Sequence, residues 1–141
     1  MTINDLALLD LERREGRLVV LRDEDHLLRR FGQAEVVSLS GGTETDFRLR
    51  AVADEVWAAL DGRAKFRLID KRLGSPSFGQ SQEVDLDGEQ PQALLIPFGV
   101  AYSMAAAEAA SLIRLATHAD HTHPEDRQLS KAELAEFSIS L

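Results

Sequence analysis

Short runs in which apolar and polar residues alternate, or in which apolar residues cluster, recur along most of the chain. Alternation with a period of two is typical of a β-strand with one buried face, and short apolar runs fit strands that are buried on both faces. In Ala64–Ile69, Phe66 and Leu68 share one face, and Lys65 and Arg67 share the other. The pattern predicts about eight short strands, at 17–22, 35–40, 47–52, 55–60, 64–69, 81–86, 92–96 and 111–117.

Turn residues separate these runs at regular intervals, which favours a sandwich or a closed barrel over alternating strands and helices. The stretch Asp70–Tyr102 is predicted to form two or three antiparallel strands connected through Gly74–Phe78, with no helix within 83–96. Pro97 cannot donate a hydrogen bond to a neighbouring strand, and Gly99 permits a positive φ angle. A strand must therefore end at this point.

Three segments are less regular. Alanine-rich Met104–Ala110 favours a helix by propensity, but its position between predicted strands indicates a strand and a tight turn. Leu6–Arg14 fits either a short helix or an N-terminal arm over about residues 1–16. Ser130 and Glu133 match a capping box, which predicts a short C-terminal helix at about 130–137.

The composition limits the classes of function. The 141 residues fit a single domain with a real core, and the absence of cysteine excludes disulfides and thiolate metal sites. No apolar run approaches the ~18 residues of a membrane span. The formal net charge of −8 disfavours nucleic acid and anionic membranes as partners. We therefore expect a cytoplasmic protein.

Several motifs are arranged as in a known enzyme family. Asp70-Lys71-Arg72 precedes Gly74-Ser75-Pro76-Ser77-Phe78-Gly79, and Ile96-Pro97-Phe98-Gly99-Val100-Ala101 precedes Tyr102, which stands where the family has a histidine. The chain thus resembles the dTDP-4-dehydrorhamnose 3,5-epimerase family of cupins from roughly Glu55 to Glu125. The resemblance implies an all-β fold, a single cupin domain over 1–141 with the double-stranded β-helix (jelly-roll) barrel, and a homodimer formed through one sheet face.

The resemblance also locates the metal-binding positions of other cupins. Arg48 and Arg50 stand at the two His-x-His positions, Glu55 stands at the glutamate position, and Tyr102 replaces the third histidine. A guanidinium group stays protonated and has no lone pair for a metal. We therefore expect neither a metal in the barrel nor any other cofactor.

The catalytic residues that the resemblance implies are a histidine base, an assisting aspartate and a tyrosine acid. The strand of the base aligns on Phe47–Arg50, and the family lysine that follows it aligns on Glu55. The tyrosine segment aligns on Asp120–Pro124, where His121 and Thr122 replace both tyrosines. Tyr102 and Glu55 remain as the candidate acid and base, and Tyr102 would need a lowered pKa to act as a base near neutrality.

Arg48 and Arg50 share one face of a predicted strand, so both point into the barrel if that face lines it. Paired guanidiniums suit a carboxylate, phosphate or pyrophosphate group, and Trp57 could stack on a sugar or a base. The predicted ligand-binding residues are Arg48, Arg50, Trp57 and Tyr102. Two alternatives stay open: Glu55 and Asp54 compensate the arginines in an internal network, and Trp57 is a core residue.

The histidine cluster comprises His118, His121 and His123. A His-x-His pair in a strand places both rings on one side, as a metal site requires. The neighbouring charged residues Asp120 and Glu125 instead indicate a solvated loop, which is the interpretation that we adopt.

Two hypotheses of function follow. In the first, the chain is a binding or accessory cupin that has lost the epimerase residues and holds a small anionic or nucleotide-sugar ligand. In the second, it is a nucleotide-sugar epimerase or isomerase that uses Glu55 and Tyr102 in place of the family's catalytic residues.

Elemental analysis of the purified protein is expected to find no stoichiometric transition metal, because arginine and tyrosine replace the three histidine ligands. About one metal per chain, lost on the substitution Glu55→Ala, would contradict this expectation.

Overall fold

The computed structural model describes residues 2–121 and 123–140. It contains fifteen strands, a single turn of 3-10 helix at Asp23–Asp25 and one short helix, α1 (Lys131–Ala135). The strands are β1 (Ala7–Asp10), β2 (Glu12–Arg14), β3 (Arg17–Val19), β4 (Gln33–Leu39), β5 (Thr43–Glu44), β6 (Phe47–Leu49), β7 (Glu55–Asp61), β8 (Arg63–Asp70), β9 (Arg72–Leu73), β10 (Ser81–Asp87), β11 (Gln92–Ile96), β12 (Val100–Ala106), β13 (Ala110–Ala116), β14 (Arg127–Leu129) and β15 (Ile139–Ser140).

Two antiparallel sheets form the barrel. One has the order β1-β11-β7-β13-β4, and the other has the order β10-β8-β12-β6-β14, with β5 also pairing to β12. Consecutive strands often lie in different sheets, as in a jelly roll. The predicted all-β jelly-roll fold is therefore confirmed. Among the described residues, no helix has the length and apolar character needed to cross a bilayer.

The main core lies between the two sheets. Trp57, Phe66 and Tyr102 meet there, with Trp57 in edge-to-face contact with both other rings at centroid distances of 5.5 and 5.8 Å. A second apolar cluster forms around β6 and the C-terminal helix, and it contains Phe47, Leu49, Ala101, Leu129 and Leu134. This second cluster covers the outer face of β6, so the strand also buries apolar side chains on the side opposite the barrel interior.

The two clusters establish which way β6 faces. Tyr102 belongs to the main core, its neighbour Ala101 belongs to the second cluster, and Tyr102 is directly paired with Arg48. Because directly paired residues share a face of a sheet, Arg48 lies on the interior side. Phe47 and Leu49 lie on the other side.

Most of the predicted strands are present. The observed bounds of β10 and β11 agree with the predictions for 81–86 and 92–96, and Pro97 directly follows β11. The alanine-rich segment contains the end of β12, a turn and the start of β13, as expected. Ser130 caps α1, and Ser130 and Glu133 form the predicted capping box.

Two predictions of local structure were inaccurate. Residues 7–10 are neither a helix nor a free arm, because they pair with β11 as an edge strand of the barrel. The strand predicted at 47–52 ends at Leu49, because the next backbone groups have tertiary partners. The Arg50 carbonyl accepts a hydrogen bond from the amide of Gly99, and the Ala51 amide donates to the Asp126 carboxylate.

The turn that follows β8 is held together by the buried carboxylate of Asp70. Arg72 donates to it from Nε and Nη2 at 2.9 and 3.0 Å, and the hydroxyls of Ser75 and Ser77 each donate at 2.6 Å. Burial alone would raise the pKa of Asp70, but these hydrogen bonds outweigh burial and hold the pKa well below its usual value. The Asp-x-Arg and Gly-Ser-Pro motifs thus stabilise this turn through hydrogen bonds to Asp70, and we call it the Asp70 turn.

Arg72 also connects the Asp70 turn to the N-terminal segment of the chain. Its Nη2 donates to the carbonyl of Asn4 at 2.7 Å, and its Nη1 lies 3.1 Å from the Asp5 carboxylate. Gly99 packs against it with φ at +82°, and a Cβ atom there would lie 2.3 Å from the Arg72 Cγ. The Pro-x-Gly motif therefore requires its glycine for both backbone conformation and space.

Asp70→Asn is expected to lower the free energy of unfolding at pH 7 by about 3 kcal/mol, because Arg72 would keep a buried charge with a weakened partner. The pKa of Asp70 is depressed in the folded state, so its contribution is complete above the ordinary carboxyl pKa of about 4 and decreases as the pH falls below that value. Urea unfolding of both proteins at pH 7 and pH 3 measures the difference, which should shrink at the lower pH.

The matched control is Asp85→Asn, on an exposed position of β10. It should change stability by less than about 0.5 kcal/mol. If the Asp70→Asn variant were as stable as the wild type at pH 7, the buried Asp70 carboxylate would not stabilise the Asp70 turn.

Candidate functional site

A polar site lies at the end of the barrel where β6, β7 and β13 meet the loop that precedes β14. Its cavity has a volume of about 160 Å³. The side chains that line it are mostly charged, and they are Arg48, Arg50, Asp120, His121, Asp126, Arg127 and Gln128. Beneath the cavity, buried charged groups continue into the barrel.

The innermost member is the carboxylate of Glu55, at the start of β7. It is 1% exposed, and it pairs with Arg114 of β13, which is also fully buried. Both Nε and Nη2 of Arg114 bond to Glu55 Oε2, and Arg50 Nη1 approaches the same oxygen at 3.2 Å. Two guanidiniums thus share one buried carboxylate oxygen.

Arg50 connects this pair to the loop above it. Its Nη1 donates to Asp120 at 2.6 Å and its Nε donates to Asp126 at 3.1 Å. The Arg50 side chain is only 4% exposed, and its Nη2 has no hydrogen-bond partner among the described residues. One strong donor of the site therefore lacks an acceptor.

Asp120 bridges the two buried arginines. Besides its bond to Arg50, it accepts from Arg114 Nη2 at 2.9 Å and from Arg114 Nη1 at 3.3 Å. Burial raises the pKa of Asp120, but the hydrogen bonds and charges of Arg114 and Arg50 outweigh it and hold the pKa at about 2. Glu35 of β4 adds a further bond to Arg114 Nη1 at 2.8 Å.

Arg114 is itself held as a cation. Burial alone would lower its pKa, but the charge of Glu55 outweighs this effect and raises the pKa above the ordinary arginine value. Arg114 and Asp120 therefore keep their charges over the whole physiological pH range.

Tyr102 and Arg48 lie side by side at the edge of this network. Arg48 forms no ion pair within the described part of the chain, and the Tyr102 hydroxyl faces Arg48 and Glu55 without a well-formed hydrogen bond to either. Burial, and then the charge of Glu55, raise the pKa of Tyr102 well above its ordinary value. Tyr102 therefore keeps its proton near neutrality, so it is suited to donate a hydrogen bond.

The structure brings together most of the residues that the sequence predicted. Arg48, Arg50, Glu55 and Tyr102 converge at one end of the barrel. Trp57 is 1% exposed within the aromatic core and donates its Nε1 hydrogen towards Glu55 at 3.5 Å. This placement fits the alternative in which Trp57 is a core residue. Neither face of its ring system is exposed to a ligand.

The internal network differs in membership from the alternative of Glu55 and Asp54 that the sequence left open. Glu55 pairs with Arg50, and Asp120 and Asp126 also bind Arg50. Asp54 takes no part in the network. It accepts a hydrogen bond from the amide of Phe98 at 3.0 Å and lies 3.6 Å from Arg29.

Arg114 was not recognised from the sequence, although a signal was present. In β13 the alternate positions Ala110, Leu112, Arg114 and Ala116 are all buried. A charged residue on the apolar face of a strand indicates a buried, paired charge. Asp120 and Asp126 carried no comparable local signal.

The three histidines do not form a metal site. His121 lines the cavity, the His118 ring contacts the Thr117 hydroxyl at 2.9 Å, and His123 accepts a hydrogen bond from the Glu125 amide. Burial and then the charges of Arg30 and Arg29 lower the pKa of His118. In the described ranges, no three candidate ligands are grouped for a metal ion. Thr122, which the sequence aligned with a family tyrosine, lies outside the described residues.

Comparison with solved structures identifies the class of fold. A dTDP sugar isomerase from Desulfovibrio desulfuricans superposes with a TM-score of 0.86 at 22% identity, covering 97% of this chain and 92% of that one. The 3'-monoepimerase ChmJ from Streptomyces bikiniensis gives 0.83 at 15% identity, covering 96% and 74%. The dTDP-4-dehydrorhamnose 3,5-epimerase from Sulfolobus tokodaii gives 0.78 at 22% identity, covering 91% and 78%.

These likenesses define a cupin-type jelly roll. More particularly, the chain has the fold of the dTDP-4-dehydrorhamnose 3,5-epimerase family, as the motifs predicted.

Sequence comparison adds a curated relative. The spore coat polysaccharide biosynthesis protein SpsL of Bacillus subtilis is 32% identical over 83 residues, which cover 59% of this chain and 55% of SpsL. The match therefore spans about half the length of that relative. No model of a protein family matches the sequence.

Arg114→Met is expected to lower the free energy of unfolding by about 3–5 kcal/mol, because it leaves buried carboxylates with too few counter-charges. The double variant Glu55→Gln/Arg114→Met removes the unpaired charge as well and should recover part of this loss. Urea unfolding measures both.

Arg63→Met, at an exposed arginine of β8 that pairs with Asp87, is the control and should change stability by less than about 1 kcal/mol. If the single Arg114 variant were as stable as the wild type, the buried pair would not organise the site.

Proposed function

We propose that the chain is a sugar-epimerase-like cupin that binds a small anionic or nucleotide-sugar ligand without epimerising it. The observation that supports this proposal is the pair Arg48 and Arg50, which face the barrel and line an open cavity where other cupins place metal-binding histidines. Guanidinium groups in such a cavity bind anionic groups through charge-assisted hydrogen bonds.

The geometry of Glu55 argues against proton abstraction by this residue. Its carboxylate lies below the cavity, is 1% exposed, and accepts hydrogen bonds from Arg114, Arg50 and Trp57. A general base must come within hydrogen-bond reach of the proton that it removes. Glu55 meets this condition only if the arginine network opens.

The alternative is a nucleotide-sugar epimerase or isomerase that uses Glu55 and Tyr102. Its support is the proximity of the two groups, since the charge of Glu55 acts directly on the Tyr102 hydroxyl. Tyr102 keeps its proton, so in this alternative it serves as the acid. Glu55 would then serve as the base, which requires the arginine network around it to open.

The relatives support a role in sugar metabolism. ChmJ was crystallised in complex with dTDP and with dTDP-quinovose, and SpsL is described as a polysaccharide biosynthesis protein. The proposed ligand of this chain is therefore a nucleotide sugar or an anionic fragment of one. We do not transfer the activity of those proteins, because in the alignment that the resemblance implies His121 and Thr122 stand at the positions of the tyrosine segment and Phe47–Arg50 contains no histidine base.

A homodimer in the cytoplasm is part of the same proposal. The strand β4 lies at the edge of its sheet, and Val36 on that strand is 63% exposed. Phe31, just before β4, is also exposed. An edge strand with exposed apolar side chains is suited to pairing with a second copy.

Isothermal titration with dTDP-glucose tests the binding, and Arg48→Ala tests the site. Arg48 has no internal ion pair, so its removal should weaken binding by about tenfold without loss of folding. Arg67→Ala, at an exposed arginine of β8, is the matched control and should bind as the wild type does.

Epimerisation is tested on a dTDP-4-keto-6-deoxy sugar in D₂O. We expect no deuterium to enter the positions beside the keto group, as followed by NMR. Exchange that depends on Tyr102 or Glu55 would establish the alternative, and failure to bind any nucleotide sugar or anionic sugar would overturn the proposed function.

A further inference from the structure

The buried arginines already bind carboxylates that the chain itself supplies. Asp120 contacts both Arg50 and Arg114, and Asp126 Oδ2 accepts from Arg50 Nε at 3.1 Å. The geometry of the site is therefore one that carboxylate groups fit. Each of these carboxylates comes from the loop between β13 and β14 and lines the cavity.

Asp126 is held less firmly than Asp120. The Asp120 carboxylate accepts three hydrogen bonds from the two arginines and one from Gln33, and the Asp120 amide donates to Gln33 in turn, whereas the Asp126 carboxylate accepts one from Arg50 and one from the Ala51 amide. Asp126 is therefore the internal carboxylate that another anion can replace at the lower cost.

Two cationic groups of the site have unused hydrogen-bonding capacity. Arg50 is almost fully buried, yet its Nη2 has no partner within residues 2–121 and 123–140. Arg48 lines the cavity and forms no ion pair in the same ranges. Unsatisfied buried donors are uncommon in native proteins, so they indicate where an acceptor is bound.

The charge balance of the site favours a singly charged ligand. The cations of the network and the cavity are Arg48, Arg50, Arg114 and Arg127, and the anions are Glu35, Glu55, Asp120 and Asp126. These charges are equal in number. A carboxylate that replaces Asp126 at Arg50 adds one negative charge, whereas a phosphate monoester adds nearly two beside the remaining carboxylates.

We propose that the cavity binds the carboxylate of a sugar acid between Arg48 and Arg50, at the place that Asp126 holds in the free protein. This inference rests on the proposed function and specifies its ligand class. A cavity of about 160 Å³ is smaller than the usual drug-sized pocket, so it receives the sugar ring and its carboxylate and leaves any nucleotide outside. The hydroxyls of the ring find acceptors in the carboxylates of the wall.

The substitution Asp126→Asn tests the competition between the internal and the external carboxylate. The amide oxygen of asparagine can still accept from the Ala51 amide, but the variant no longer supplies a charged acceptor to Arg50 Nε. Glucuronate should therefore bind about tenfold more tightly to this variant than to the wild type. Isothermal titration or NMR chemical-shift titration measures the affinity.

Glu125→Gln is the matched control. It lies next to Asp126 in the sequence, is exposed, and removes the same single negative charge. Its affinity for glucuronate should stay within about twofold of the wild-type value. A gain equal to that of Asp126→Asn would show that only the overall charge matters, and it would overturn the proposal.

Three further probes determine the ligand class. Glucose should bind at least about tenfold more weakly than glucuronate, because it lacks the carboxylate. Glucose 6-phosphate should also bind more weakly than glucuronate, and Arg48→Gln should reduce glucuronate binding. Equal binding of glucose and glucuronate, or preference for the phosphate, would contradict the inference.

The dTDP-glucose titration separates this inference from the proposed function. If the protein bound dTDP-glucose but not glucuronate, the proposed binding of a nucleotide sugar would stand and the proposed carboxylate site would be overturned. Binding of glucuronate alone would support the carboxylate site and limit the proposed function to an anionic sugar. Absence of binding by either probe, in the wild type and in Asp126→Asn, would overturn both.

Discussion

A buried carboxylate at the mouth of the barrel sets the requirements for the residues around it. Glu55 cannot remain ionised in an apolar interior without counter-charges, and Arg114 and Arg50 supply them. Two arginines around one carboxylate then need further anions, which come from Asp120, Asp126 and Glu35. The resulting chain of alternating charges joins three strands of the barrel to the loop that covers its end.

The same network limits which of its residues can exchange protons. An acid–base mechanism needs a group that exchanges protons with the substrate near neutral pH. Glu55 is enclosed by donors, and burial holds the proton on Tyr102. The arginines and carboxylates beside them are fixed charges around a small opening, and such guanidiniums can bind an anion through charge-assisted hydrogen bonds.

The sequence was informative where local patterns determine structure, and less so where long-range pairing does. The bounds of β11 could be predicted, because a short apolar run ends at Pro97. The end of β6 could not, since the amides and carbonyls beyond Leu49 bind Gly99 and Asp126, which are distant in sequence. The shared face of Arg48 and Arg50 followed from their spacing and its inward direction from the resemblance, but the carboxylates that neutralise Arg50 lie in a loop without periodicity.

The Arg72 side chain has a consequence for the chain ends. It binds the backbone of Asn4, and Gly99 beside it packs against Ile139 of β15, whose amide bonds to the carbonyl of Lys71. The segments around Asn4 and Ile139 therefore meet at one turn although they are far apart in sequence. Loosening of that turn would release both segments together, so their backbone amides should exchange with solvent as one cooperative unit.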